Sequence, residues 1–152
     1  MLGVKIHQMG DGISLDQQHF TEALLEQYGI NTCKTVVTPL TPNKHLCPAT
    51  TEDVTSFMKL KTNYRSAIGR INYLSSATQP DLLFAVSTLS QYLKTPGLRL
   101  WQAFLHVLKY LSGSWDQGLY YPRQTSEKIT AFRDPDWGNF HVTHRLTTGY
   151  LT

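Results

Sequence analysis

The feature that most constrains this chain is a long run of helical periodicity, from about Phe57 to Leu111, cut by two proline breaks. Tyr64, Ala67, Ile68, Ile71 and Leu74 recur at the three-and-four spacing that places side chains on one face of a helix. Pro80 ends that helix, because a proline inside it would remove a hydrogen bond and clash with the preceding turn. The same residue suits the first turn of a second helix, which Asp81 favours through the helix dipole and which runs to about Lys94. Leu82, Val86, Leu89 and Leu93 form its apolar stripe. Pro96-Gly97 breaks it, and a third helix is expected from about Arg99 to Leu111, carrying Trp101, Phe104, Leu105, Leu108 and Leu111. Links this short favour a compact, roughly antiparallel cluster of about three helices.

The flanks have a different period. Leu2, Val4 and Ile6, then Ile13 and Leu15, alternate with polar residues around Gly10-Asp11-Gly12, the pattern of a β-hairpin. Residues 17–28 follow with Phe20, Ala23, Leu24 and Tyr28 at helical spacing, and Gly29 is placed to close that helix. The stretch 34–56 holds three prolines and many threonines and reads as a loop. Gly118 to Tyr121, Lys128 to Arg133 and Thr147 to Thr152 read as strands. The expected class is α+β: an N-terminal hairpin and helix, a helical centre, and C-terminal strands.

With 152 residues the chain has the size of one ordinary domain. Its apolar runs fall well short of the roughly 18 residues that span a bilayer, and no signal-peptide pattern opens it. Cys33 and Cys47 are too few for a disulfide framework and lack CxxC spacing. These features point to an intracellular protein, cytoplasmic or nuclear, without a membrane partner. The net charge of +3 suits a polyanion but is modest, and charged residues are only 16%, against about 25% in typical domains. Charge alone does not identify a nucleic-acid binder.

Several segments resemble, in order, the Pol polyprotein of copia-type LTR retrotransposons. Leu2-Gly3-Val4-Lys5-Ile6 resembles the family's Phe-Leu-Gly-Ile strand, and Val37-Thr38-Pro39-Leu40 its Pro-Val-x-Thr-Pro element. Tyr64-Arg65 with Gly69 and Tyr73-Leu74 is similar to its Tyr-Arg-x-x-x-Gly-x-x-x-Tyr-Leu helix. Gln79-Pro80-Asp81-Leu82 and Ala85-Val86-Ser87-Thr88-Leu89-Ser90 resemble Arg-Pro-Asp-Ile and Ala-Val-x-x-Leu-Ser. Trp101-Gln102-Ala103 and Val107 to Leu111 are similar to the helix that follows. Asp134-Pro135-Asp136-Trp137 and Arg145-x-Thr147-Thr148-Gly149-Tyr150 resemble the opening strands of its ribonuclease H.

The resemblance implies that residues 1–125 are a reverse transcriptase primer-grip, thumb and connection region, and residues 126–152 the incomplete start of a ribonuclease H-like domain. It implies that the Tyr-x-Asp-Asp pair of the polymerase lies upstream of the Leu2 strand. The later ribonuclease H ligands would lie beyond residue 152. Asp134 takes the place of the first ribonuclease H carboxylate, a metal ligand only if the domain were completed. Two-metal chemistry needs several anionic ligands, so the chain alone is expected to be non-catalytic and without a cofactor, while the parent enzyme would use Mg²⁺. Arg133 beside Asp134 would repel a metal ion, Pro135 lacks a ladder donor, and Phe140 stands where the family often has Asp. An Asp-Pro-Asp surface turn is the competing reading.

Lys94, Arg99, Lys109 and Arg123 are the candidate contacts to an RNA or DNA template–primer, with a palm-containing reverse transcriptase chain as the other candidate partner. The third helix keeps its apolar stripe but has Leu105, His106 and Ser112 where the family carries basic residues, and Gln79 replaces an arginine. Every cation removed from a phosphate-binding surface weakens binding and flattens its salt dependence. His141 with His144, and His45 with Cys47, are weak metal candidates, and Trp101, Trp115 and Tyr110 could stack on bases or fill a core. No small-molecule substrate is evident. Two alternatives to a non-catalytic remnant stay open: a small helical protein-interaction module, and one segment of an intact RNA-directed DNA polymerase whose palm lies upstream.

Overall fold

A computed structural model describes residues 3–30, 32–42, 45–124, 132–136 and 147–151. The chain divides into two compact units, residues 1–121 and 122–152.

The first unit begins with the hairpin. Strands β1 (Lys5–Gln8) and β2 (Gly12–Asp16) pair antiparallel with Ile6 opposite Leu15 and Gln8 opposite Ile13. The Met9 N–H bonds the Gly12 carbonyl at 2.8 Å and closes the turn. Helix α1 (Gln18–Gln27) follows directly, its first N–H held by the Asp16 carboxylate at 3.1 Å. Gly29 ends the segment at φ +65°, a left-handed conformation that costs glycine little.

Where a loop is expected up to residue 56, the structure forms helix α2 (Thr51–Met58). Its capping box explains the difference: the Thr50 hydroxyl accepts from the Asp53 N–H while the Asp53 carboxylate accepts from the Thr50 N–H. Glu52 and Asp53 also complement the positive end of the helix. Helix α3 (Tyr64–Ala77) starts at Asn63, whose side chain accepts from the Ser66 N–H. The second expected helix is shorter than its apolar stripe suggests. Pro80–Leu82 form one 3₁₀ turn, α4 spans Leu83–Ser90, and the chain then turns rather than continuing to Lys94. Helix α5 (Leu98–Leu111) matches expectation to within a residue.

Strand β3 (Leu119–Pro122) completes a sheet of order β1-β2-β3, so a strand distant in sequence closes on the N-terminal hairpin. Gly118 permits this approach, because any Cβ there would overlap the Leu15 carbonyl oxygen.

The core lies where α3, α4 and α5 meet. Ile71, Leu74, Leu82, Leu89, Phe104, Val107, Leu108 and Leu111 are fully buried, and Leu24 and Leu25 of α1 join them. An aromatic cluster ties α1, α2 and α5 together. The Trp101 and Phe104 rings stack at 4.8 Å, and Tyr28 meets Phe104 edge-on at 5.2 Å. Phe57 lies 5.9 Å from Trp101 and 6.1 Å from Tyr64. Among the described residues no helix is long and apolar enough to cross a membrane.

In the second unit, strands β4 (Phe132–Asp136) and β5 (Thr147–Leu151) pair antiparallel. Asp134-Pro135-Asp136 is therefore strand rather than turn. Pro135 stands opposite Thr148, and among the described residues β4 pairs with β5 alone, so the missing donor there costs at most one ladder bond. The rest of the strand expected from Lys128, together with Phe140, His141, His144, Arg145 and Thr152, lies outside the described residues, as does Leu2 of the hairpin.

Candidate functional site

The candidate cations of the first unit are spread along α5 and the turn before it. Arg99 and Lys109 belong to α5, ten residues apart, which at about 1.5 Å rise per residue separates them by about 15 Å along the axis. Lys94 is exposed in the turn before that helix, and Arg123 is exposed in the second unit. Lys109 is half-buried in the last turn of α5, where a cation complements the negative end of the dipole.

Arg99 is already engaged. Its Nη2 lies 2.5 Å and its Nε 2.7 Å from Asp53 Oδ2, the carboxylate that also caps α2. The guanidinium donating to Asp53 holds that carboxyl below its ordinary value, and the carboxylate raises the arginine in turn. The pair joins the starts of α2 and α5, so the fold gives Arg99 a packing partner that spacing alone does not reveal.

The aromatic candidates resolve to packing. Trp101 is buried in the aromatic cluster, and Trp115 packs against the edge of the core. The Tyr110 hydroxyl donates to Asp81 at 2.7 Å, and that carboxylate pushes the phenol up to about 12. Tyr64, the first residue of the Tyr-Arg motif, donates to the Leu89 carbonyl at 3.1 Å from a buried position, and burial raises its phenol further. Asp81 and Tyr64 thus bind α3, α4 and α5 to one another. Gln79 is buried and donates to the Ser114 and Gln117 carbonyls at 2.9 and 3.4 Å, bracing the turn that leads to β3. His106 contacts the Thr38 carbonyl at 3.1 Å and pins the Thr-Pro-Leu segment to α5.

Asp134 stands in β4 opposite Gly149. Among the described residues no three His, Cys, Asp or Glu are grouped so as to hold a metal ion. A cleft of about 120 Å³ lies between Leu40, Thr41, Leu46, Gln102, Ala103 and His106, well below the roughly 300 Å³ at which ligand pockets begin.

One surface escapes motif reading. The apolar residues of the hairpin face outward: Ile6 is 54% and Ile13 43% exposed, while Gly12 and Asp16 on the opposite face are buried. His7 and Asp16 pair on that inner side at 2.5 Å. The alternation is legible in the sequence, but which side the protein covers is not.

No protein-family model and no solved structure matches the chain significantly. Among curated proteins it is 32% identical over 150 residues to the Retrovirus-related Pol polyprotein from transposon RE2 of Arabidopsis thaliana, covering 99% of this chain and 10% of that one. It is 30% identical over 157 residues to the Retrovirus-related Pol polyprotein from transposon TNT 1-94 of Nicotiana tabacum, covering 99% and 12%. An uncharacterized mitochondrial protein of Arabidopsis thaliana is 40% identical over 75 residues, which cover 49% of this chain and 68% of that protein. The chain thus spans about a tenth of the length of the Pol polyproteins it matches.

Proposed function

Because this chain belongs to the copia-type retrotransposon Pol polyprotein family, we propose that it is a non-catalytic segment of a reverse transcriptase–ribonuclease H that contacts template–primer. The observation that carries this reading is the ordered similarity to Pol polyproteins over 99% of the chain. Residues 1–125 take the role of primer grip, thumb and connection, and residues 126–152 that of the first ribonuclease H strands. In the parent enzyme Asp134 would be the first ribonuclease H carboxylate and Mg²⁺ the metal. The reading of the chain alone as non-catalytic rests on this sequence containing no Tyr-x-Asp-Asp. Lys94, Lys109 and Arg123 contact phosphates, and Arg99 joins them only by releasing Asp53. The setting is intracellular.

A second partner is favoured by the outward apolar face of the hairpin. Ile6 and Ile13 fit a palm-containing reverse transcriptase chain, since an uncovered apolar sheet face invites association.

The test uses the purified chain with Mg²⁺ and an RNA–DNA hybrid duplex. Neither primer extension nor RNA cleavage above background is expected, and the duplex binds with an affinity that falls as salt rises. Cleavage that disappears in an Asp134→Asn variant overturns the non-catalytic reading. Absence of salt-dependent binding at low ionic strength overturns the template–primer reading.

A further inference from the structure

The charge of the chain is unevenly spread. Residues 1–53 hold three Lys and six Asp and Glu, whereas residues 54–121 hold seven Lys and Arg and two Asp. Between residues 54 and 80 there is no carboxylate. Three cations of that stretch, Lys59, Lys61 and Arg65, surround the corner at which α2 turns into α3, and all three are exposed. The edge-on contact of Phe57 with Tyr64 fixes the corner from inside. Among the described residues none of the three side chains has an ion pair or hydrogen bond, in contrast to Arg99 on Asp53 and Arg70 on Gln27. An ordinary solvated helix face carries carboxylates within a turn of its cations, and here there are none. Arg65 also occupies the first turn of α3, where a cation meets the positive end of the dipole with no acid to offset it.

We infer that the α2–α3 corner, through Lys59, Lys61 and Arg65, is a phosphate-backbone contact surface for a nucleic-acid duplex. The inference deepens the template–primer reading and rests on it. It assigns the contact to three neighbouring cations that are unpaired among the described residues, in addition to Lys94, Lys109 and Arg123. A regular polyanion suits the corner because it supplies several phosphates to neighbouring cations at once, without base recognition.

The experiment measures binding of the full chain to a fluorescein-labelled RNA–DNA hybrid duplex by anisotropy, between about 50 and 200 mM salt. The corner variant is Lys59→Gln, Lys61→Asn, Arg65→Gln; asparagine is chosen because Lys61 has φ +48°, which asparagine tolerates. The comparison variant is Lys94→Gln, Lys109→Gln, Arg123→Gln, and a charge-keeping variant is Lys59→Arg, Lys61→Arg, Arg65→Lys. Far-UV circular dichroism checks that each is folded. The corner variant is expected to bind about tenfold or more weakly at the low-salt end and to flatten the log–log salt slope by about 0.9 for each phosphate no longer neutralised, up to about 2.7. The charge-keeping variant keeps the wild-type slope. An unchanged slope in the corner variant, with a flattened one in the comparison variant, overturns the inference and leaves the template–primer reading standing. No duplex binding by the wild type overturns both. Polyglutamate binding that depends on the corner while duplex binding does not overturns the inference in favour of an acidic protein partner.

Discussion

Replacing Tyr64 with phenylalanine removes one oxygen from the junction of α3 and α4 and leaves the ring in place. The side chain is 2% exposed, its ring meets Phe57 edge-on, and its hydroxyl donates to the Leu89 carbonyl at 3.1 Å. A neutral buried hydrogen bond contributes about 1 kcal/mol net, and about 1–3 kcal/mol more is at stake when removing one partner leaves a buried group unsatisfied. The second term is small here, because the Tyr92 N–H also donates to the Leu89 carbonyl at 3.2 Å. Tyr64→Phe should therefore cost about 1 kcal/mol, which for a chain of this length lowers Tm by roughly 2–4 °C. Tyr64→Ala should cost about 3–5 kcal/mol, since it also opens a cavity beside Phe57. Urea unfolding followed at 222 nm and by tryptophan fluorescence separates the two variants. Burial raises the Tyr64 phenol above its ordinary 10, so the stability it lends is intact below that pH and is lost as pH rises beyond it. The gap between wild type and Tyr64→Phe should then narrow in alkaline solution. Equal losses in the Phe and Ala variants, or no loss on removing the hydroxyl, would refute the placement of Tyr64 as a strut between α3 and α4.

Arg99→Gln should lower stability slightly at pH 7, and the difference should shrink as pH falls below the ordinary carboxylate range. The depressed Asp53 carboxyl lends stability above that range and loses it as pH falls through its folded value; a difference that stays constant throughout the acid titration would argue against the pair. Tyr110→Phe should remove part of the stability loss between pH 10 and about 12, because the Asp81 contact holds the wild-type phenol protonated to about 12; coincident alkaline unfolding curves would refute it. Gly118→Ala forces a methyl against the Leu15 carbonyl, so β3 should detach from β2 at a cost of at least about 1–3 kcal/mol. Limited proteolysis should then cut near residues 117–123, and unaltered resistance would count against the three-stranded sheet.

The elements that can be read from the chain are those whose own residues carry the signal. Helices α3 and α5 follow from apolar spacing, and Pro80 and Pro96-Gly97 mark their limits, because proline acts on the backbone wherever it stands. Helix α2 is hidden by its threonines, although Thr50 and Asp53 spell a capping box within a stretch that reads as loop. The α4 stripe suggests a helix to Lys94, but apolar spacing does not report where the backbone leaves helical geometry, and the helix ends at Ser90. The candidate site is less legible. Arg99 looks as available as Lys94, because charge is a property of one residue, whereas availability depends on whether Asp53 of another helix has claimed it.

What the sequence determined by itself was family, the α+β class, the hairpin and helices α1, α3 and α5, since similarity, periodicity and turn chemistry are written in neighbouring residues. Tertiary structure alone decided that β3 closes on the hairpin, that the apolar side of the hairpin faces outward, and that Lys59, Lys61 and Arg65 stand unpaired among the described residues while Arg99 does not. Those outcomes depend on which surfaces segments far apart in the chain bury against each other, and pairwise burial is settled only when the whole core closes.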